Sequence, residues 1–294
     1  MKPDLTIVIP CYNEEESLPV FLTELLPFCE NKHYNIIIIN DGSTDNSLSL
    51  LLGISNNNVT ILNNKVNKGY GAAIKSGIEK CKTEYMITID ADGQHYFEDI
   101  DKLFSEIIAS NSDMIVGSRK GQFSNNIYRD FGKWIIRRIA KFLMPIKIHD
   151  LNSGMKIYKT ELAKKYLSLY PDSMAFSDII GLVFINKKLL VNEIPISIKK
   201  RKSGSSTINT KTAFQTVLEI LNIIILFNPL KIFLPVSIMF VFFGLIWGFY
   251  IFSLGRGISV GSSLLIISGL LIFLLGLVAE QMSQIRHHLT EFGK

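Results

Sequence analysis

Apolar and polar positions along this chain change their period in a regular order. Leu5–Pro10, Tyr34–Asn40, Val59–Leu62, Tyr85–Ile89 and Met114–Val116 are short apolar runs bounded by Asn, Asp, Gly or Pro. Runs of that length and boundary read as buried strands. Segments of helical spacing alternate with them, opened by Glu14-Glu15-Glu16, by Ser43 or Thr44 as cap of a helix to Leu52, and by Ala72–Cys81 and Phe97–Ser110. Ile36 to Ile39 is apolar without alternation, as in a strand buried on both faces. The first strand is expected to stop at Pro10, which has no N–H to give a ladder. Strand alternating with helix predicts an α/β fold: a largely parallel sheet with helices on both faces. A strand through Tyr158, a helix opened by Ser177-Asp178 and a strand over Val191–Ile198 extend it.

The pattern then changes. Ile127–Met144 reads as an amphipathic helix carrying Arg129, Lys133, Arg137, Arg138 and Lys141, either a solvated basic face or a helix at the bilayer interface. Lys199-Lys200-Arg201-Lys202-Ser203-Gly204-Ser205-Ser206 is a basic run, read as a juxtamembrane charge cluster, a loop closing over phosphates, or both. Thr210–Phe227 is amphipathic and then increasingly apolar. Ile232–Leu254 and Ile258–Ala279 contain no charged residue and are separated by Gly255-Arg256-Gly257. Each has the roughly 20 residues that a spanning helix needs. The predicted organisation is a catalytic domain over 1–209, an amphipathic juxtamembrane helix over 210–230, and a two-helix transmembrane hairpin over 231–294 with a short tail.

Composition supports this division. The 294 residues are 48% hydrophobic with mean hydropathy +0.27, and the excess lies in the C-terminal part. The net charge of +5 is too modest to imply nucleic acid, and an anionic bilayer surface suits it better. Cys11, Cys29 and Cys81 are odd in number and lack metal-type spacing, which points to a reducing compartment and gives them no catalytic role. No signal peptide precedes the first strand. Lysines 199, 200, 202, 211 and 231 and Arg201 flank one outer end of the hairpin and Arg286 the other, against Arg256 alone in the turn. The positive-inside rule therefore places the catalytic domain and both termini in the cytoplasm.

The candidate chemistry sits at strand ends. Asp90 and Asp92, followed by Gln94, can face one side of an extended chain and form a hard oxygen site, better for Mg²⁺ or Mn²⁺ than for zinc. The bland alternative is a polar turn capping the next helix. Gly69 and Gly71 precede a helix N-terminus, where packing and phosphate contact are equally open. Open α/β sheets bind ligands at the carboxyl ends of their strands. That edge collects Pro10, Tyr12, Asp41, Asp90, Asp92 and Arg119, the makings of a nucleoside-diphosphate site.

On these residues the chain resembles family 2 glycosyltransferases of the GT-A fold, of the polyprenyl-phosphate type related to dolichol-phosphate mannose synthase. Ile9-Pro10-Cys11-Tyr12-Asn13-Glu14, Asp41-Gly42-Ser43-Thr44-Asp45, Asn67-Lys68-Gly69-Tyr70-Gly71, Asp90-Ala91-Asp92-Gly93-Gln94-His95 and Gly117-Ser118-Arg119 carry the resemblance, in order and ahead of a membrane hairpin. It implies that Pro10, Tyr12, Glu14 and Asp41 hold base and ribose, and that Asp90, Ala91 and Asp92 line the diphosphate. Asp92 and Gln94 would hold the metal, and Arg119, Arg129 and Lys133 the acceptor phosphate. Arg201 and Ser205 would reach phosphates from the basic run. Catalysis would rest on Asp90, Asp92 and Arg119, with His95 a hydrogen-bonding neighbour rather than a base. Asn40 stands where many relatives carry a second aspartate, which leaves the choice of uridine or guanosine open. The Gln-x-x-Arg-Trp motif of processive synthases is absent.

The reaction implied is inverting transfer of a sugar from a UDP- or GDP-sugar to undecaprenyl or dolichyl phosphate, in a bacterial inner membrane. The rival readings are a same-fold enzyme acting on a glycan or lipid-linked oligosaccharide, and a non-catalytic sugar-nucleotide-binding membrane module. Sugar, prenyl length and homo-oligomer formation stay open.

Overall fold

The computed structural model describes residues 4–119, 148–199, 225 and 228–292. The expected basic helix over Ile127–Met144, the run from Lys200 and the segment Thr210–Phe227 lie outside these, apart from the single residue Ile225. The described residues belong to two compact units, one reaching to Lys199 and one beginning at Ile225.

The first unit is a seven-stranded sheet in the order β3-β2-β1-β4-β6-β5-β7. Its strands are β1 (Leu5–Cys11), β2 (Asn35–Asp41), β3 (Val59–Asn64), β4 (Tyr85–Thr88), β5 (Met114–Ser118), β6 (Lys156–Lys159) and β7 (Val191–Pro195). All neighbours are parallel except that β6 runs antiparallel between β4 and β5. Helices α1 (Leu18–Lys32), α2 (Ser47–Leu52), α3 (Tyr70–Lys80), α4 (Glu98–Ala109), α5 (Thr160–Lys165) and α6 (Phe176–Asn186) connect them. Leu5, Ile7, Ile9, Ile36 and Ile38 pack with Leu18, Phe21, Leu25, Ile100, Leu103 and Ile107 in one apolar core. Ile37 and Ile39, pointing the other way, are buried too, as the unbroken apolar run requires.

Some boundaries differ from the sequence reading for definite reasons. β1 continues through Pro10 to Cys11, because its ladder with β4 has already ended at Val8. Ile89 N donates to Val8 O at 3.2 Å, so the nitrogen of Pro10, two residues on, faces the space beyond that ladder. α1 opens at Leu18 with Pro19 in its first turn, and Glu14 to Glu16 form the turn before it. α2 begins at Ser47 and its side-chain support comes from Asp45, whose Oδ1 accepts from Ser47 N at 3.0 Å, not from Ser43 or Thr44.

The second unit contains α7 (Leu230–Ser253) and α8 (Val260–Phe292), two helices long and apolar enough to cross a membrane. Gly255 and Gly257 turn the chain between them at φ +69° and +73°. Small residues let the helices approach: a Cβ at Gly269 would meet Ser237 O at 2.9 Å, and one at Gly244 would meet Leu265 Cβ at 3.1 Å. The carboxylate of Glu280 accepts from Leu230 N at 3.4 Å, tying the start of one span to the end of the other. Phe242, Phe249, Leu264 and Leu275 face outward.

Candidate active site

At the carboxyl edge of the sheet the turns after β1 and β2 interlock. Asn13, at φ +54°, donates its N–H to Ser43 Oγ at 3.0 Å, and its Oδ1 accepts from Thr44 N at 2.8 Å. Glu14 N donates to Ser47 Oγ at 2.8 Å, and Glu15 N to Asp45 Oδ2 at 3.1 Å. Ser43 and Thr44 are therefore occupied in joining the two turns. Ser17 Oγ donates to Glu14 Oε2 at 2.5 Å and lies 3.3 Å from Ala91 O, which links two expected site residues. Pro10 is half-buried beneath them, and the Tyr12 ring is 44% exposed at the lip.

Asp41 is only 3% exposed. Its Oδ1 accepts from Asn64 Nδ2 at 2.8 Å and Lys68 N at 3.0 Å, and its Oδ2 from Gly69 N at 2.8 Å. The carboxylate thus fastens the loop before α3 to the end of β2. The open question about that loop is answered by packing. Gly71 N and Ala72 N, in the first turn of α3, donate to Asp172 O at 2.9 and 3.2 Å. A carbonyl already satisfies the positive end of the helix. Asn40 is buried with its Nδ2 donating to Asn63 Oδ1 at 2.8 Å, while its Oδ1 has no partner among the described residues.

Beyond β4 the extended reading of Asp90, Asp92 and Gln94 is corrected. The strand ends at Thr88, and the three residues lie on a turn with Gly93 at φ +68°. The turn arises because Gln94 N donates to Asp92 Oδ1 at 3.1 Å. Open space faces Gly93, where a Cβ would have nothing within 4 Å. Asp90 is set apart from Asp92. Its Oδ1 accepts from Tyr70 OH at 3.0 Å, and its Oδ2 lies 3.8 Å from His95 Nε2. It also rests directly on Gly154, where a Cβ would collide with the carboxylate. Burial alone would raise this carboxyl, but His95, Tyr70 and the charge of Lys156 outweigh it and hold it below the ordinary aspartate value.

Arg119, following β5, is clamped in a way the sequence did not reveal. Its Nε donates to Asp150 Oδ2 and its Nη2 to Asp150 Oδ1, both at 2.7 Å, with a further donation from Nη2 to Asn152 O at 3.1 Å. Such a planar two-bond pair fixes both charge and direction. Asp150 is in turn held by its backbone N–H on Glu193 Oε1 at 3.2 Å. Asp150, Gly154 and Tyr70 join the site by long-range contact, and the local signal was an Asp-x-x-x-Gly spacing without a strand before it.

After β7 the chain crosses to the metal-type loop. Ser197 N donates to Asp99 Oδ2 at 3.0 Å, Ile198 bridges to His95, and Lys199 N donates to Gln94 O at 2.8 Å. The first residue of the basic run therefore touches the Asp90–Gln94 loop. Arg129, Lys133, Arg201 and Ser205 lie outside the described residues. Among the described residues no three His, Cys, Asp or Glu side chains form a metal cage. Two oxygen side chains on an open lip still fit a Mg²⁺- or Mn²⁺-type ion, because such ions commonly keep waters and take substrate phosphates as ligands.

Comparison with known proteins follows the same division. Residues 6–167 match the family described as glycosyl transferase family 2, and residues 228–285 match the GtrB C-terminal hairpin. The chain is 30% identical over 215 residues to a dolichyl-phosphate beta-glucosyltransferase of Drosophila melanogaster, covering 66% of each chain. It is 29% identical over 208 residues to an undecaprenyl-phosphate 4-deoxy-4-formamido-L-arabinose transferase of Photorhabdus laumondii, covering 69% of this chain and 62% of that one. It thus spans just under two thirds of both relatives. In fold it is similar to glucosyl-3-phosphoglycerate synthase of Mycobacterium tuberculosis, crystallised with Mn²⁺, UDP-glucose and phosphoglyceric acid, at a TM-score of 0.59 and 13% identity over 76% of this chain and 80% of that one.

Proposed function

We propose, for a chain that belongs to glycosyl transferase family 2 and is a glycosyltransferase, that it moves a sugar from a nucleotide donor to a polyprenyl phosphate at a membrane surface. The observation that carries this reading is the pairing of a carboxylate-lined strand edge with two helices of membrane-spanning length in one chain. The named activities of the two relatives point the same way.

The residues divide the work. The joined turns after β1 and β2, with Pro10, Tyr12, Glu14 and the loop that Asp41 fastens, form a floor for base and ribose. Asp90, Ala91 and Asp92 line the diphosphate, and Asp92 with Gln94 would hold the divalent cation. When bound, that cation neutralises charge on the leaving diphosphate. Arg119, with its fork fixed by Asp150, presents its remaining N–H groups to the acceptor phosphate. Arg129 and Lys133, in the basic segment that follows, would assist, as would Arg201 and Ser205 in the run whose first residue lies on Gln94. The acceptor phosphate is anionic and nucleophilic near neutral pH, so no side chain has to remove a proton from it. His95 orients Asp90 and takes no proton. One displacement inverts the anomeric centre. In this reading the hairpin lies in a bacterial inner membrane with the sheet unit on the cytoplasmic side, and the cations flanking the outer ends of the hairpin support that side.

The test is a screen of UDP- and GDP-sugars against undecaprenyl and dolichyl phosphate in membranes carrying the full chain. One donor should give a lipid product that mild acid cleaves. Transfer to a glycan with no lipid product would overturn the reading.

A further inference from the structure

Lys156 is the one buried ammonium that the proposed reaction leaves unused among the described residues. It lies on β6 in register with Thr88 of β4 and Val116 of β5, directly under the edge where Asp90 and Arg119 emerge. It is 1% exposed. Its Nζ donates to Ser153 O, a neutral group. A charge taken out of water needs opposite charge around it. Three carboxylates provide it from three elements: Asp90 beyond β4, Asp150 ahead of β6 and Asp178 in the first turn of α6. Arg119 at the end of β5 opposes them, and the hydroxyl of Tyr70, on α3, completes the surroundings through Asp90.

Two of those carboxylates are already part of the site. Asp150 holds the guanidinium of Arg119, and Asp90 stands against Tyr70 and Gly154. We propose that Lys156 is a positioning residue whose buried ammonium holds Asp90 and the Asp150–Arg119 pair in one fixed arrangement, and so sets the electrostatic floor on which the donor diphosphate sits. The inference rests on the functional reading above. With Asp150 offset by Arg119, the carboxylate of Asp90 would otherwise face an incoming diphosphate as like charge, and the ammonium beneath the edge lessens that repulsion without competing for the lip. Burial lowers Lys156 to about 8, against the raising influence of the three carboxylates, so its charge is partly lost in mildly alkaline solution.

The experiment uses the purified full chain in detergent, as wild type, Lys156→Met and Lys156→Arg. Binding of UDP and of GDP with Mg²⁺ is measured by calorimetry from pH 6.5 to pH 9, with melting followed in parallel. Wild-type affinity for the preferred nucleotide should fall about fivefold between pH 7 and pH 9 as the ammonium is lost. Lys156→Arg, charged throughout, should lack that alkaline loss, a result that a merely space-filling role would not give. Lys156→Met should bind about tenfold more weakly than wild type at pH 6.5 and come within about twofold of it by pH 9, where wild type has itself lost most of the charge. Should Lys156→Met fail to fold, the comparison of Lys156→Arg with wild type decides alone. The same alkaline loss in Lys156→Arg as in wild type, or a folded Lys156→Met that binds within twofold of wild type at pH 6.5, would overturn the inference. A wild type that binds neither nucleotide would overturn the functional reading, and this one with it.

Discussion

The sheet unit and the hairpin solve one problem in two solvents. In the sheet unit the edge residues are polar and recessed, and nearly every buried carboxylate has named donors, as at Asp41 and Asp150. In the hairpin the outward faces are apolar, and close approach of small residues replaces polar pairing, with Glu280 on Leu230 as a polar link. An unpaired polar group is costly wherever water is excluded. The chain meets that demand by long-range pairing in one region and, in the other, with small hydroxyls that return to nearby backbone of their own segment, as Ser237 Oγ does to Leu234 O and Ser262 Oγ to Ser259 O. The site therefore depends on a few directed contacts, while the anchor depends on surface shape.

The largest expected break is Asp92→Asn, which should touch the first region's chemistry and neither region's fold. Loss of several kcal/mol of charge stabilisation corresponds to a drop on the order of a thousandfold in transfer. Melting should match wild type, and retained activity after thorough chelation would refute a metal role for Asp92.

A matched pair of glycine changes sharpens the contrast. Gly154→Ala pushes directly on the Asp90 carboxylate. A displacement of about 1 Å at a reacting geometry lowers rate roughly a hundredfold. Gly269→Leu presses on Ser237 O and Val241 in the hairpin. Overpacking there should lower stability by about 1–3 kcal/mol and leave nucleotide binding unchanged. Kinetics and melting of both variants would show whether each region fails in its own way.

Acid should separate the regions next. Burial works to raise Asp150, but donation and charge from Arg119 prevail and its carboxyl lies below the ordinary value, as does that of Asp90. A group whose folded value is lowered stabilises the fold above its unfolded value, about pH 4, and that contribution disappears as pH falls through the folded value. Melting of the sheet unit should therefore decline below about pH 4, and Asp150→Asn should flatten the decline. The smallest effect belongs to a surface pair. Lys32 Nζ lies 2.7 Å from Asp101 Oδ2 with both side chains partly exposed. Lys32→Ala should cost less than about 1 kcal/mol.

What could be read from sequence follows the range of the forces involved. The strand-helix alternation and both spans are local, written in period, whereas Asp90 to Gln94 reads in sequence as extended chain and turns instead, because Asp92 Oδ1 takes the N–H of Gln94. The strand through Tyr158 was legible, but the antiparallel direction of β6 was not, because it is set by partners on β4 about seventy residues away. The clamp of Asp150 on Arg119 escaped for the same reason. Lys156 left one trace, a lysine inside the apolar stretch Met155–Tyr158, which gains meaning only once burial is known. The glycine loop before α3 was undecided because the carbonyl that fills its amides comes from Asp172.

The placement of β6 also orders events in time. It lies between β4 and β5 but follows both in the chain, so a growing polypeptide completes the two outer strands before the one that joins them. Closing that gap spans a long loop, which makes it a slow step in forming the sheet. Pulse-labelled hydrogen exchange during refolding should accordingly protect β1 and β2 before β5, and simultaneous protection of all three would contradict this order. Until Lys156–Lys159 arrives, β4 and β5 each present a bare edge able to pair with another nascent chain. The interval between making Ser118 and making Lys159 is when this protein is most exposed to misassembly.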